Sequence, residues 1–252
     1  MIRIAAVGDL HVGPDVAGEY RARLADLPDR ADVLLVAGDL TRHGTVEEGR
    51  IAADELRDVG IPVITVLGNH DYHSDEQDKI TEVLREAGVT VLEGDGTVIP
   101  CGDRRLGVAG GKGFGGGFAG RCASDFGEPE MKALVRHTKE FSHRLYEALT
   151  GLDVDHRVAL THYSPAKDTL AGEPLEIYPF LGSYLMAEAI DAAGTELAVH
   201  GHAHKGSEKG LTPRGVRVRN VALPVLRRAY AVYCLGDGSA ADTRPDAVPA
   251  AL

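Results

Sequence analysis

Two histidines one residue apart, His202 and His204, and an aspartate and histidine with the same spacing, Asp9 and His11, are the side chains in this sequence best suited to hold metal ions. Asp39, Asn69 and His162 add a second carboxylate, a neutral amide oxygen and a fourth imidazole. The set offers hard oxygens and borderline nitrogens but no thiolate. That mixture suits Mn, Fe or Zn better than Ca or a structural zinc knuckle. In an extended backbone, residues i and i+2 point to one side, so each spaced pair can address one ion. Asp39 follows Gly38, and two roles fit it. Its carboxylate can give one oxygen to each of two metals, or it can serve as an N-cap or Asx-turn residue. His70 and Asp71 form a different kind of pair. A histidine beside a metal can stabilise or protonate a leaving oxygen near neutral pH, and an adjacent acid that holds its ring fixes the tautomer.

The elements that must position these residues are short apolar runs, each ending just before a motif: Ile2–Val7, Val33–Ala37, Val63–Leu67, Val158–Leu160 and Leu197–Val199. Read as strands, they place all the ligands on one rim, where open α/β sheets carry their chemistry. Helical spacing is predicted over 15–27, 45–59 and 74–87, with Thr45 and Glu48 at capping-box distance. This alternation predicts an α/β domain with parallel strands. Further strands are predicted over Val89–Leu92, Thr97–Pro100 and Arg105–Ala109, and a long helix over 128–149. Val216–Val221 and Ala229–Leu235 read as antiparallel strands. One domain over 1–235 is expected, with 236–252, rich in Gly, Ala, Asp and Pro, as a loosely held tail.

Residues 110–120 hold seven glycines and formally match GxGxxG, but Gly116, Gly117 and Gly120 oppose the helix start that a dinucleotide fingerprint needs. Two readings fit this stretch. It is a mobile loop whose Lys112 and Arg121 contact phosphate, or a tight reversal packed on Phe114 and Phe118. His43 and Tyr163, next to site motifs, are the other expected substrate contacts. His200 is expected behind the ligands, and His137, His143 and His156 in solvent.

The chain has 252 residues, 44% hydrophobic and 26% charged, as ordinary globular proteins are. Its formal charge of −11 opposes general nucleic-acid affinity, which needs basic surface. Phosphate substrates are still compatible, because bound cations invert the local field. Three scattered cysteines, no signal-peptide core and no run near the roughly 18 apolar residues of a membrane span predict a cytoplasmic protein with no membrane association.

The ordered motifs Asp9-Leu10-His11, Gly38-Asp39, Gly68-Asn69-His70-Asp71, Thr161-His162 and Gly201-His202-Ala203-His204 resemble the calcineurin-like metallophosphoesterase superfamily over residues 9 to 204. The resemblance implies a layered β-sandwich flanked by helices, with a dinuclear metal site at the strand-end rim. It also implies that Asp9, His11 and His204 hold one metal, Asn69, His162 and His202 the other, and Asp39 both. The reaction it implies is in-line hydrolysis of a small phosphoester, such as a nucleotide. A hydroxide between two divalent or mixed-valence ions roughly 3.5–4 Å apart attacks, and His70, oriented by Asp71, assists the leaving oxygen. The wording GNHD, and GDLTRHG where protein phosphatases carry GDxVDRG, points away from phosphoproteins. It is closer to the bacterial cyclic-nucleotide phosphodiesterase branch. A phosphodiesterase is therefore expected. The alternatives are a phosphomonoesterase or nucleotide pyrophosphatase using the same site, or a silent binding scaffold.

Overall fold

The computed structural model describes residues 1–236, so the expected tail lies outside the described residues beyond Gly236. Along the chain the strands are β1 (Ile2–Val7), β2 (Val33–Ala37), β3 (Val63–Val66), β4 (Thr90–Leu92), β5 (Asp95–Cys101), β6 (Arg104–Gly111), β7 (Gly117–Phe118), β8 (Arg121–Cys122), β9 (His156–Thr161), β10 (Leu197–His200), β11 (Lys209–Leu211), β12 (Arg217–Asn220) and β13 (Ala231–Leu235). The helices are α1 (Glu19–Arg23), α2 (Leu27–Arg30), α3 (Val46–Leu56), α4 (Gln77–Glu86), α5 (Pro129–Gly151), α6 (Tyr178–Leu181), α7 (Tyr184–Ala192) and α8 (Leu223–Leu226).

Strands that are apolar on both faces must be covered on both sides, and that requirement explains the layering. Ile2, Ile4 and Ala6 of β1 and Val33, Leu35 and Ala37 of β2 meet Val158 and Leu160 of β9 and Leu197 and Val199 of β10 in a core between two sheets. The alternate residues Ala5, Val7, Leu34 and Val36 face outward, onto Ala52, Leu56, Ile80 and Leu84 of α3 and α4. On the far side, Ala159 and Ala198 lie under Phe141, Leu145 and Leu149 of α5 and Ile190 of α7. The first sheet runs β13-β1-β2-β3-β4 and the second β11-β12-β10-β9-β6-β5. Strands β1 to β4 are parallel in the first, as are β6, β9, β10 and β12 in the second. This is the expected sandwich flanked by helices. None of the described helices is long and apolar enough to cross a membrane.

Three sequence expectations change. The helix over 15–27 is broken into a 3₁₀ turn at Pro14–Val16, then α1 and α2. Gly18 sits at φ 86, and the amides of Gly18 and Arg21 turn onto the buried Glu55 carboxylate of α3 instead of continuing a helix. Tyr20, Leu24 and Leu27 still pack in one core, so the apolar spacing was real even though the helix is not continuous. β12 and β13 lie in different sheets. β12 pairs parallel with β10 and antiparallel with β11, and β13 pairs antiparallel with β1. His156 lies buried on β9 with its Nδ1 2.9 Å from Glu196, rather than in solvent. The Thr45 cap forms as spaced: Thr45 Oγ1 accepts from the Glu48 amide at 3.2 Å.

Candidate metal centre

The loops leaving β1, β2, β3, β9 and β10 converge on one rim. Asp9 and Asp39 are buried there, and their carboxylates organise the surrounding imidazoles. His204 Nε2 donates to Asp9 Oδ1 at 2.8 Å, and the His202 amide donates to the same carboxylate at 3.0 Å. Asp39 Oδ1 accepts from the His70 amide at 2.8 Å and lies 3.4 Å from His162 Nε2, while its Oδ2 lies 3.8 Å from His11 Nε2. His162 is fixed from behind, because its Nδ1 donates to the Ala37 carbonyl at 2.8 Å. That leaves Nε2 3.0 Å from Asn69 Oδ1. The carbonyl therefore sets the tautomer and aims the other nitrogen inward.

Two overlapping sets of ligand atoms result, each lying within 4.8 Å: Asp9, His11, Asp39 and His204, and Asp39, His162 and His202. Asn69 adjoins the second through His162. A divalent ion fits both. His11 Nε2 is buried with no hydrogen-bond partner, which is costly for a polar atom unless a ligand supplies one. Glycine is required beside the carboxylates. A Cβ at Gly201 would collide with Asp9 Oδ2, and one at Gly68 with Asp39 Oδ1.

Backbone geometry brings the ligands together differently from the extended i, i+2 arrangement predicted. Asp9, His11, Asp39 and His202 all have left-handed φ, between 46° and 69°. Asp and His tolerate this region better than most residues, yet such positions still cost on the order of 1–3 kcal/mol each and persist where surrounding bonds over-determine them. Those bonds include Asp9 N–H to the Gly38 carbonyl (2.9 Å) and His11 N–H to that of Asp39 (3.0 Å).

Burial and charge oppose each other in this site. Burial lowers the pKa of His162, but the Asp39 charge and hydrogen bond outweigh it and carry it up to about 9. Burial also opposes ionisation of Asp39, and His162 overcomes it and holds the carboxyl well below the usual range. Burial, helped by the His162 charge, pushes His202 down to about 3, and burial also lowers His11. The hydrogen bond to Asp9 raises His204.

His70 stands beside the first set, its ring edge-on to His11 with centroids 4.5 Å apart. Its Nδ1 donates to the Arg42 carbonyl at 2.8 Å, which leaves Nε2 unprotonated in the neutral ring and a donor in the charged one. Asp71 does not hold that ring, contrary to the sequence reading. Residues 70–72 form a 3₁₀ turn, which sends neighbouring side chains in different directions. Asp71 points inward and accepts from Thr41 N (2.8 Å), Thr41 Oγ1 (2.6 Å), Gly68 N (2.8 Å) and Leu40 N (3.3 Å), bracing the loops after β2 and β3. Burial first, and the Asp39 charge second, push its pKa up to about 6.

The substrate candidates are divided. Tyr163 is buried against the second set, its ring 4.3 Å from that of His202, and burial pushes its hydroxyl up to about 12. Lys112 lies beside it, its carbonyl accepting from His162 N and Tyr163 N, both at 3.0 Å. His43 is exposed and turned onto Glu48, with Nδ1 2.9 Å from Oε1. Arg121 is exposed on β8 and makes no hydrogen bond or ion pair with a described site residue. Within residues 110–120, Phe118 is buried with Leu170, Tyr178 and Leu181, in line with the packed reading at that residue. His200 is buried as expected, with Nδ1 donating to the Gly201 carbonyl at 2.7 Å.

Sequence reasoning missed Asn220, whose Nδ2 donates to the Ala203 carbonyl at 2.8 Å and steadies the loop carrying His202 and His204. It also missed Thr41 and Tyr72. An asparagine at a strand end and a threonine in a loop carry no signal of their own.

A family model described as calcineurin-like phosphoesterase matches residues 2–206. Comparison with curated protein sequences yields no match. Among solved structures, the chain is similar to a phosphopantetheinyl hydrolase from Mycobacterium tuberculosis (TM-score 0.60, 17% identity, covering 87% of this chain and 88% of that one). It is also similar to a putative 5'-nucleotidase from Staphylococcus aureus (0.60, 18%, 93% of this chain and 51% of that one) and to a protein from Thermus thermophilus (0.56, 17%, 92% and 93%). At these identities the likeness is one of fold.

Proposed function

The chain belongs to the calcineurin-like phosphoesterase family, whose members hydrolyse phosphoesters with metal ions, and from that premise we propose a dinuclear-metal phosphodiesterase acting on small phosphoesters, nucleotides among them. The observation that carries the proposal is the pair of ligand sets sharing Asp39. Asp9, His11 and His204 would hold one ion, and Asn69, His162 and His202 the other. When bound, two divalent cations neutralise the phosphoryl oxygens and activate water for in-line attack. Mn, Fe and Zn all suit these ligands. His70 carries its Nδ1 proton on Arg42 and presents Nε2 to the rim, where the charged ring gives a proton to the leaving oxygen. Asp71 acts through the loops it braces, and no side-chain nucleophile is needed. Preference for diesters rests on the GDLT and GNHD wording. We assign the catalytic unit to residues 1–235 and a cytoplasmic location on cysteine usage.

The test is hydrolysis of bis-p-nitrophenyl phosphate and p-nitrophenyl phosphate by chelator-stripped protein, with Mn, Fe, Zn or Mg restored singly. Diester turnover that returns with a transition metal and falls about 10²-fold in His70→Ala is expected. A monoester preference overturns the diester assignment, and no turnover with two ions bound overturns the hydrolase assignment.

A further inference from the structure

Three strand-end loops build an aromatic box around one cation on the flank of the second ligand set. Lys112 Nζ lies 4.8 Å from the ring centre of Tyr72, 5.1 Å from Phe114 and 5.5 Å from Tyr163. Tyr72 comes from the loop after β3, Phe114 from that after β6 and Tyr163 from that after β9. Tyr163 joins the box to the metal centre through its contact with the His202 ring. The rings hold Lys112 in place but give it no anion. Its ammonium makes no hydrogen bond or ion pair with any described residue. Tyr72 OH is engaged with Glu93 at 3.3 Å. Burial lowers the Lys112 pKa, with Glu93 and Asp39 opposing from longer range. Aromatic faces offset part of the cost of taking an ammonium from water, on the order of 1 kcal/mol or more per contact. No described residue accepts a hydrogen bond from its three donors.

We propose that Lys112 is a specificity-determining residue that binds a second anionic group of the substrate, a phosphate or carboxylate set apart from the scissile phosphorus. The inference rests on the hydrolase reading above and narrows it. The scissile phosphoryl group is served by the two ligand sets, so the cation boxed beside them answers a further charge. The favoured substrates are nucleotide-like esters with two anionic groups.

Two substrates with the same scissile bond test this: thymidine 5'-(p-nitrophenyl phosphate) and its 3'-phosphorylated counterpart. With Mn-loaded protein, the 3'-phosphorylated ester is expected to have the higher kcat/KM by about tenfold, as one charge-assisted hydrogen bond would give. Lys112→Met is expected to erase that ratio through KM, and Lys112→Arg to keep part of it. Equal kcat/KM for the two esters in the wild type, or the same fractional loss on both in Lys112→Met, overturns the proposal. If neither ester turns over, the hydrolase reading fails by itself. Calorimetry with thymidine 3',5'-bisphosphate and thymidine 5'-monophosphate then decides on Lys112. Tighter binding of the bisphosphate that is lost in Lys112→Met supports it, and equal affinities overturn it.

Discussion

The two ligand sets meet at Asp39 but lie in different surroundings. On the first side, His204 is 40% exposed and His11 22% exposed, and His70 stands at the edge. On the second, His162 is fully buried, Tyr163 covers His202, and His202 Nε2 lies 3.2 Å from the Phe180 carbonyl. Burial alone would discharge both histidines of the second set. It does so for His202, whereas the adjacent Asp39 keeps a proton on His162. A close carboxylate therefore decides the charge of a buried imidazole where depth does not. Without a metal ion, the Asp39 charge favours a proton on His162 within the second set, while the first set is the more open of the two.

Replacing the shared residue should give the largest effect. Asp39→Asn is expected to lower kcat/KM on the order of 10³-fold, equivalent to several kcal/mol of charge stabilisation, and to weaken both ions together. Retention of both ions, measured by elemental analysis after gel filtration, would break the claim that the sets are joined at Asp39. His70→Ala comes next, with kcat down about 10²-fold and metal content unchanged; loss of an ion would make His70 a ligand. A sharper contrast comes from His204→Gln and His162→Gln, each expected to lower the content from about two ions per chain to about one. Mn(II) binding at pH 7 to 8 should expel about one proton, because ligation needs neutral His162 and its pKa without metal is carried up to about 9. Affinity should therefore rise as pH climbs toward 9. Calorimetry in buffers of different ionisation enthalpy counts the proton, and a count of zero contradicts the His162–Asp39 pairing. The smallest effect on rate is expected from Asp71→Asn, which leaves N–H donors facing an amide. It should cost about 1–3 kcal/mol of stability and lower Tm by several degrees. Unchanged melting would deny Asp71 its bracing role.

The layered fold and the identity of the clustered side chains were legible in the sequence because both follow from local rules. Apolar runs of β1, β2, β3, β9 and β10 end directly before the motifs, and parallel strands bring such ends to one edge. What depended on three-dimensional closure was hidden. Asp and His tolerate left-handed backbone without requiring it, so its occurrence at Asp9, His11, Asp39 and His202 could not be read from residue type. Asp71 follows His70 directly, yet a 3₁₀ turn separates their side chains. Apolar spacing over 15–27 could not reveal that Glu55, far along the chain on α3, captures the amides at its break. Tyr72, Lys112, Phe114 and Tyr163 meet only because three loops do.

Electron paramagnetic resonance of the protein loaded with two Mn(II) ions tests the shared carboxylate most directly. An exchange-coupled spectrum in the wild type, collapsing to isolated Mn(II) signals in Asp39→Asn, is the expected result. Isolated signals in the wild type at two ions per chain would contradict a centre built around Asp39.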